Sequence, residues 1–192
     1  MNSRRRPSIE QRRPVFIGCE GASESGYAAV LQDCIRDASL PVFLIVKELG
    51  PGAGDPLARV EMAVRELNRL TTARGKIRDR FVLLDSDQAE GDAGRADRAR
   101  RLATANDISI VWQQPCFEAL LLRHLPSCAT HRPPDTRGSH RALLRAWPEY
   151  AKPMTRTALS RRIDLAAVLR AAGVEPELYA MLRCLSLISP PP

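Results

Sequence analysis

Short apolar runs alternate along this chain with longer segments whose apolar residues recur every three to four positions. Val15 to Cys19 is the first run and reads as a strand. Ser23 to Asp37 follows, with Tyr27, Val30, Leu31, Cys34 and Ile35 on one face of a helix. "LPVFLIVKEL" is a second strand, apolar at successive positions, as a strand covered on both faces should be. "GPGAGDP" is a loop in which Asp55 can cap the next helix and Pro56 can take its first position. Leu57 to Thr72 is a long amphipathic helix, "RFVLLDSD" a third strand ending in acids, and Arg95 to Asn106 a helix. Ile108 to Trp112 is a fourth strand, and "PCFEALLLRHL" opens with proline and continues as a helix. "PSCATHRPPDTRGS" reads as a loop; Leu143 to Trp147, Arg156 to Ala172 and Glu175 to Leu185 read as helices. This alternation predicts an α/β fold. A mostly parallel central sheet carries helices on both faces and a helical C-terminal extension.

Composition narrows the setting. The chain has 192 residues, enough for one α/β domain, and 44% of them are apolar. Lysine and arginine exceed the acids by 29 to 22, a net charge of +7. That excess favours polyanionic partners, nucleic acid first, although an arginine-rich soluble protein has the same balance. No apolar run approaches the roughly 20 residues of a membrane span, so no membrane partner is expected. "MNSRRRPSIEQRRP" lacks the apolar stretch of a secretory signal, and residues 1–13 are expected to form a disordered basic arm. Residues 14–150 form the main domain, and residues 151–192 a helical extension packed on it. The five cysteines are scattered and form no CxxC pair, which argues against zinc and a disulfide framework and for a cytoplasmic protein.

In open parallel sheets the ligand site lies beyond the carboxyl ends of the strands. Glu20 follows the first strand, Asp85 and Asp87 end the third, and Glu118 begins the helix after the fourth. All four reach one edge. Such carboxylates repel one another, and a hard divalent cation removes that penalty. Mg²⁺ or Mn²⁺ bound by Glu20, Asp85 and Asp87, with Glu118 beside them, is the expected cofactor, and phosphoryl transfer is the chemistry it serves. Any one of these acids could instead cap a helix or begin a turn; their combination points to the metal. Glu24 is either an acid behind these ligands or a charge suited to a helix N-terminus. Lys47 and Lys152 could meet substrate phosphate, though solvated lysines are the simpler reading. His124 on a leucine-rich helix reads as a packed histidine before an acid or base. Trp112 and Trp147 could stack on bases, with core packing the better reading. "GRADRARR" could track a phosphate backbone, but its arginines are spaced all round the helix. "GPGAGDP" has no GKS or GKT and is not a nucleotide P-loop.

"CEGASESGY" followed by "VLLDSDQ" resembles a Toprim domain, with a glutamate-glycine after the first strand and a DxD after a later one. "QQPCFEALLLRHL" narrows the likeness to the RloB-like family of prokaryotic defence loci, over about Val15 to Tyr150. On that resemblance Glu20, Asp85 and Asp87 take the Toprim acid positions. Glu118 takes the acid of "PCFE", Glu24 that of the family's "TE" pair, and His124 the histidine after the leucines. Ser23 stands where threonine is usual and Gln114 where asparagine is common. The resemblance implies a Toprim-like Rossmannoid domain and a metal-dependent endonuclease in an anti-phage or abortive-infection system. RNA is slightly favoured over DNA as substrate, and a partner protein encoded nearby is a further expectation. The alternative is a non-catalytic nucleic-acid-binding or sensor subunit of a defence complex.

Overall fold

A computed structural model describes residues 12–50, 55–90 and 93–189. Most of the basic arm and of the glycine-rich loop lies outside the described residues. Four strands, β1 (Arg13–Cys19), β2 (Val42–Glu48), β3 (Asp79–Asp85) and β4 (Ser109–Gln113), form one sheet in the order β2-β1-β3-β4. Every pairing is parallel, with Cys19 opposite Glu48 and Leu83, and Asp85 opposite Gln113. All carboxyl ends therefore meet at one edge. Helices cover both faces, an arrangement compatible with a Rossmann-like fold.

The helices are α1 (Ala22–Asp37), α2 (Pro56–Arg74), α3 (Asp87–Glu90), α4 (Ala93–Ala105), α5 (Phe117–His124), α6 (Thr136–Ala146), α7 (Arg156–Leu159), α8 (Leu165–Ala172) and α9 (Pro176–Cys184). Successive strand residues point to opposite faces and build two cores. Val15, Ile17, Phe81, Leu83 and Val111 face α1, α5 and the C-terminal helices. Phe16, Val82 and Leu84 face α2 and α4. The extension is part of the first core: Ile163, Val168, Leu178, Met181 and Leu182 are buried in the same cluster as Val15 and Leu31. None of the described helices is long and apolar enough to cross a membrane.

Three local expectations are corrected. β2 is an edge strand, and Phe43 to Lys47 are only partly buried instead of fully enclosed. Its unbroken apolarity arises because Leu44 and Val46 pack on one core and Ile45 on the other. The loop expected through Ser139 stops at Asp135, whose carboxylate accepts from Gly138 N–H at 2.6 Å and starts α6 there. The single helix expected over Arg156 to Ala172 is two, because Asp164 caps a new helix by accepting from Ala167 N–H at 2.8 Å.

One close approach seats the chain around Lys152 on the domain. A Cβ at Gly26, on α1, would lie 2.3 Å from the Met154 carbonyl oxygen. Met154 N–H donates to Ser23 Oγ at 3.0 Å one turn earlier. Glycine is required here because backbone meets helix with no room for a methyl group. Gly26→Ala is expected to cost about 1–3 kcal/mol, the usual range for overpacking. Urea denaturation followed by circular dichroism measures it; an unchanged midpoint would show that the 152–155 segment yields freely.

Candidate functional site

β1 ends at Cys19, and the chain turns at Glu20 and Gly21 into α1. Gly21 is the N-cap and supplies no side-chain bond, while Glu24 lies in the first turn, where a carboxylate meets the helix dipole favourably. Glu20 spans to the neighbouring strand: its Oε2 accepts from Asp85 N–H at 3.2 Å. Its Oε1 lies 4.0 Å from Nη2 of Arg59, a buried residue of α2 whose Nη1 donates to the Leu49 carbonyl at 3.0 Å. Asp85 closes β3 and Asp87 opens α3. The loop between them is tied to the exit of β4. Ser86 N–H is shared by the Gln113 and Pro115 carbonyls, each at 3.0 Å, and Asp87 N–H donates to Pro115 at 3.0 Å. Thr136 donates its hydroxyl to Asp87 Oδ2.

Glu118, 3% exposed in the first turn of α5, receives two donors on Oε1. Lys152 Nζ lies at 2.6 Å and Tyr150 OH at 3.1 Å. Glu20, Ser23, Glu24, Asp85 and Lys152 line an open cleft of about 380 Å³.

The electrostatics follow from crowding and burial. The Asp85 carboxyl is pushed up to about 9, first by burial and then by the charges of Glu20, Glu24, Asp87 and Glu118. Glu24 is raised in the same way, burial leading. Burial also opposes ionisation of Glu118, but the hydrogen bond and charge of Lys152 outweigh it and hold that carboxyl below its ordinary value. Lys152 thus sets Glu118 apart from Asp85 and Glu24, whose carboxyls are raised.

Three carboxylate oxygens of this edge, Asp85 Oδ1, Asp87 Oδ1 and Glu118 Oε2, are buried with no hydrogen-bond partner. Gln113, fully buried opposite Asp85 in the register, also leaves both amide atoms unpartnered. Unpartnered buried acceptors are costly and call for a cation or water. No group of three or more His, Cys, Asp or Glu side chains among the described residues is arranged to hold a metal ion. Mg²⁺ does not require one, since it takes one or two protein carboxylates and keeps several waters. The free oxygens of Asp85 and Asp87 are hard donors of the kind it prefers, so the residues present fit such an ion.

Of the residues singled out in the sequence, Glu20, Glu24, Asp85, Asp87, Glu118 and Lys152 come to this edge. Lys47 does not line the cleft: its Nζ lies 3.7 Å from Glu66 on α2. His124 lies in the core, with Nδ1 2.8 Å from the Leu120 carbonyl and Nε2 2.9 Å from Tyr27 OH. Burial lowers it to about 4, so it stays neutral and positions Tyr27. Trp147 is buried, and Trp112 is partly covered, with the Arg100 guanidinium 5.2 Å from its ring centre. Arg59, Tyr150, Thr136 and Gln113 are the contributors that sequence reasoning missed. Tyr150 had one signal, its place two residues before Lys152; the others look like ordinary helix or strand residues.

No protein-family model, curated protein or solved structure matches the chain.

The raised Asp85 carboxyl makes a sign-definite expectation. Unfolded, it releases its proton near ~4; folded and metal-free, it keeps the proton to about pH 9. The native state therefore binds more protons between those values, and stability falls as pH rises through them. Asp85→Asn removes that penalty. Thermal denaturation in EDTA should give equal Tm values for variant and wild type near pH 4 and a higher Tm for the variant at pH 8. An offset that does not change with pH would contradict the crowding described here.

Proposed function

We propose that the chain is a Toprim-like, metal-dependent endonuclease that hydrolyses phosphodiester bonds, RNA before DNA, in a prokaryotic defence system. The observation that carries this reading is the group of buried, unpartnered carboxylate oxygens at the carboxyl edge of the sheet, beside a Glu20 anchored across two strands. Asp85 and Asp87 would hold Mg²⁺ or Mn²⁺ through their free oxygens. The bound ion supplies neutralisation of phosphate charge and a water of lowered pKa. Glu20, held by the Asp85 amide and facing Arg59, is placed to join those ligands or to accept a proton from the attacking water. Lys152, fixed by Glu118, stands on the cleft wall with further N–H donors for a phosphate oxygen or for the leaving oxygen. Glu118 acts through Lys152 and is a positioning residue.

The preference for RNA comes from the RloB-like resemblance and from a small domain with no evident duplex-reading element among its described residues, which suits a single-stranded loop. The net charge of +7 supports salt-sensitive binding of either nucleic acid. The purified chain should be incubated with tRNA, single-stranded RNA and supercoiled plasmid, each with Mn²⁺ and with EDTA, and again with the product of a neighbouring gene. Cleavage that requires Mn²⁺ and falls about 10²–10⁴-fold in Glu20→Ala is the expected result, the range for loss of a general base. Salt-sensitive binding that Glu20→Ala leaves intact, with no cleavage in either setting, would hand the protein to the binding-subunit reading.

A further inference from the structure

The DxD loop has a second side. A cavity of about 490 Å³ opens between the exits of β3 and β4, the start of α4 and the segment around Arg132. Ser86, which stands between Asp85 and Asp87, lines it together with Gln114 and three arginines, Arg100, Arg123 and Arg132; the rest of the lining is alanine and proline. None of its described lining residues is acidic. The volume lies within the ordinary range of small-molecule sites.

Arg123 is the informative residue. It is 1% exposed, yet its Nη1 has no hydrogen-bond partner. Its Nη2 donates to the Gln114 carbonyl at 2.6 Å. Its Nε lies 3.0 Å from Glu175 Oε1 without the alignment of a hydrogen bond. Arg132 Nη2 lies 3.3 Å from the same oxygen. Two guanidinium groups thus share one carboxylate, and a positive charge is left over beside the cavity. Arg100 adds a third guanidinium, paired with the exposed Asp97 at 2.9 Å, where solvent screens the attraction. A buried charge with an unused donor is costly unless an anion completes it. Arginine's planar fork suits the oxygens of a phosphate.

We propose that this cavity is a phosphate subsite, which takes a nucleotide flanking the bond that is cut and holds its phosphate with Arg123, Arg100 and Arg132. The phosphate would complete the donors of Arg123, and the alanine and proline walls leave an uncharged space for sugar and base. The position follows from the shared loop: Ser86 faces the cavity while its two neighbours carry the acids. What the nucleotide is part of rests on the nuclease reading above; the anion site itself does not.

Isothermal titration calorimetry with AMP, in EDTA, tests the cavity independently of metal and cleavage, with adenosine as control. AMP should bind, more weakly as salt rises, and adenosine should not. The affinity should fall about tenfold or more in Arg123→Met and in Arg100→Ala/Arg132→Ala, as the loss of charge-assisted hydrogen bonds implies. It should be unchanged in Asp85→Ala. The double variant removes only half-exposed side chains and carries the test if Arg123→Met does not fold. Absence of AMP binding, equal binding of adenosine, or equal affinity in the double variant overturns the subsite. AMP binding with this pattern in a chain that cuts nothing, alone or with the neighbouring gene's product, sustains the subsite and removes the nuclease reading; cleavage without AMP binding does the reverse.

Discussion

Repulsion among carboxylates at one edge of a parallel sheet is the constraint around which the site is organised. Glu20, Glu24, Glu118 and Asp87 all act on Asp85 and disfavour its charged form. A fold does not gather acids in this way for its own stability, because each added charge raises the cost of the next. Part of that cost is relieved within the chain. The Asp85 amide meets Glu20, Thr136 meets Asp87, and Lys152 with Tyr150 meets Glu118. The remainder shows as free, buried oxygens on Asp85, Asp87 and Glu118.

The relief depends on the C-terminal extension. Lys152 reaches Glu118 only because the segment that carries it lies against α1, with Met154 bonded to Ser23 and its carbonyl over Gly26. The helices beyond it are buried in the core that packs on β1 and β3. The extension is therefore joined to the site both through the core and through one ion pair. Removing Lys152 would leave Glu118 buried without its cation, an arrangement more costly than the pair itself.

The same edge gathers acids on one side and arginines on the other. The cleft lined by Glu20, Glu24 and Asp85 is acidic, and the cavity lined by Arg100, Arg123 and Arg132 is basic. The Asp85–Asp87 loop separates them and is held rigidly by three backbone bonds to the exit of β4. This division is invisible in the net charge of +7, which sums over both.

The acids and the sheet edge were legible in the chain itself. Apolar runs ending in Glu20-Gly21 and in Asp85-Ser86-Asp87 place those carboxylates after parallel strands, because period-2 burial and strand–helix alternation leave little choice of topology. Asp55 as a helix cap was legible for the same local reason: its carboxylate accepts from Leu57 N–H at 3.0 Å, two residues away. Local chemistry went only so far. "PVFLIVKEL" reads as enclosed, yet β2 is at the edge, since strand order is set by which helices cover which face and not by the strand's own residues. His124 matched a family histidine by motif, while its leucine-rich helix already favoured packing, and it lies in the core against Tyr27. Arg59, Thr136 and Arg123 carry no local signal, and Tyr150 only its nearness to Lys152, because each acquires its role from a partner distant in sequence or from burial. The chain by itself determined which edge bears the acids; only the tertiary structure decided which cations and donors meet them, because those contacts join segments far apart in sequence.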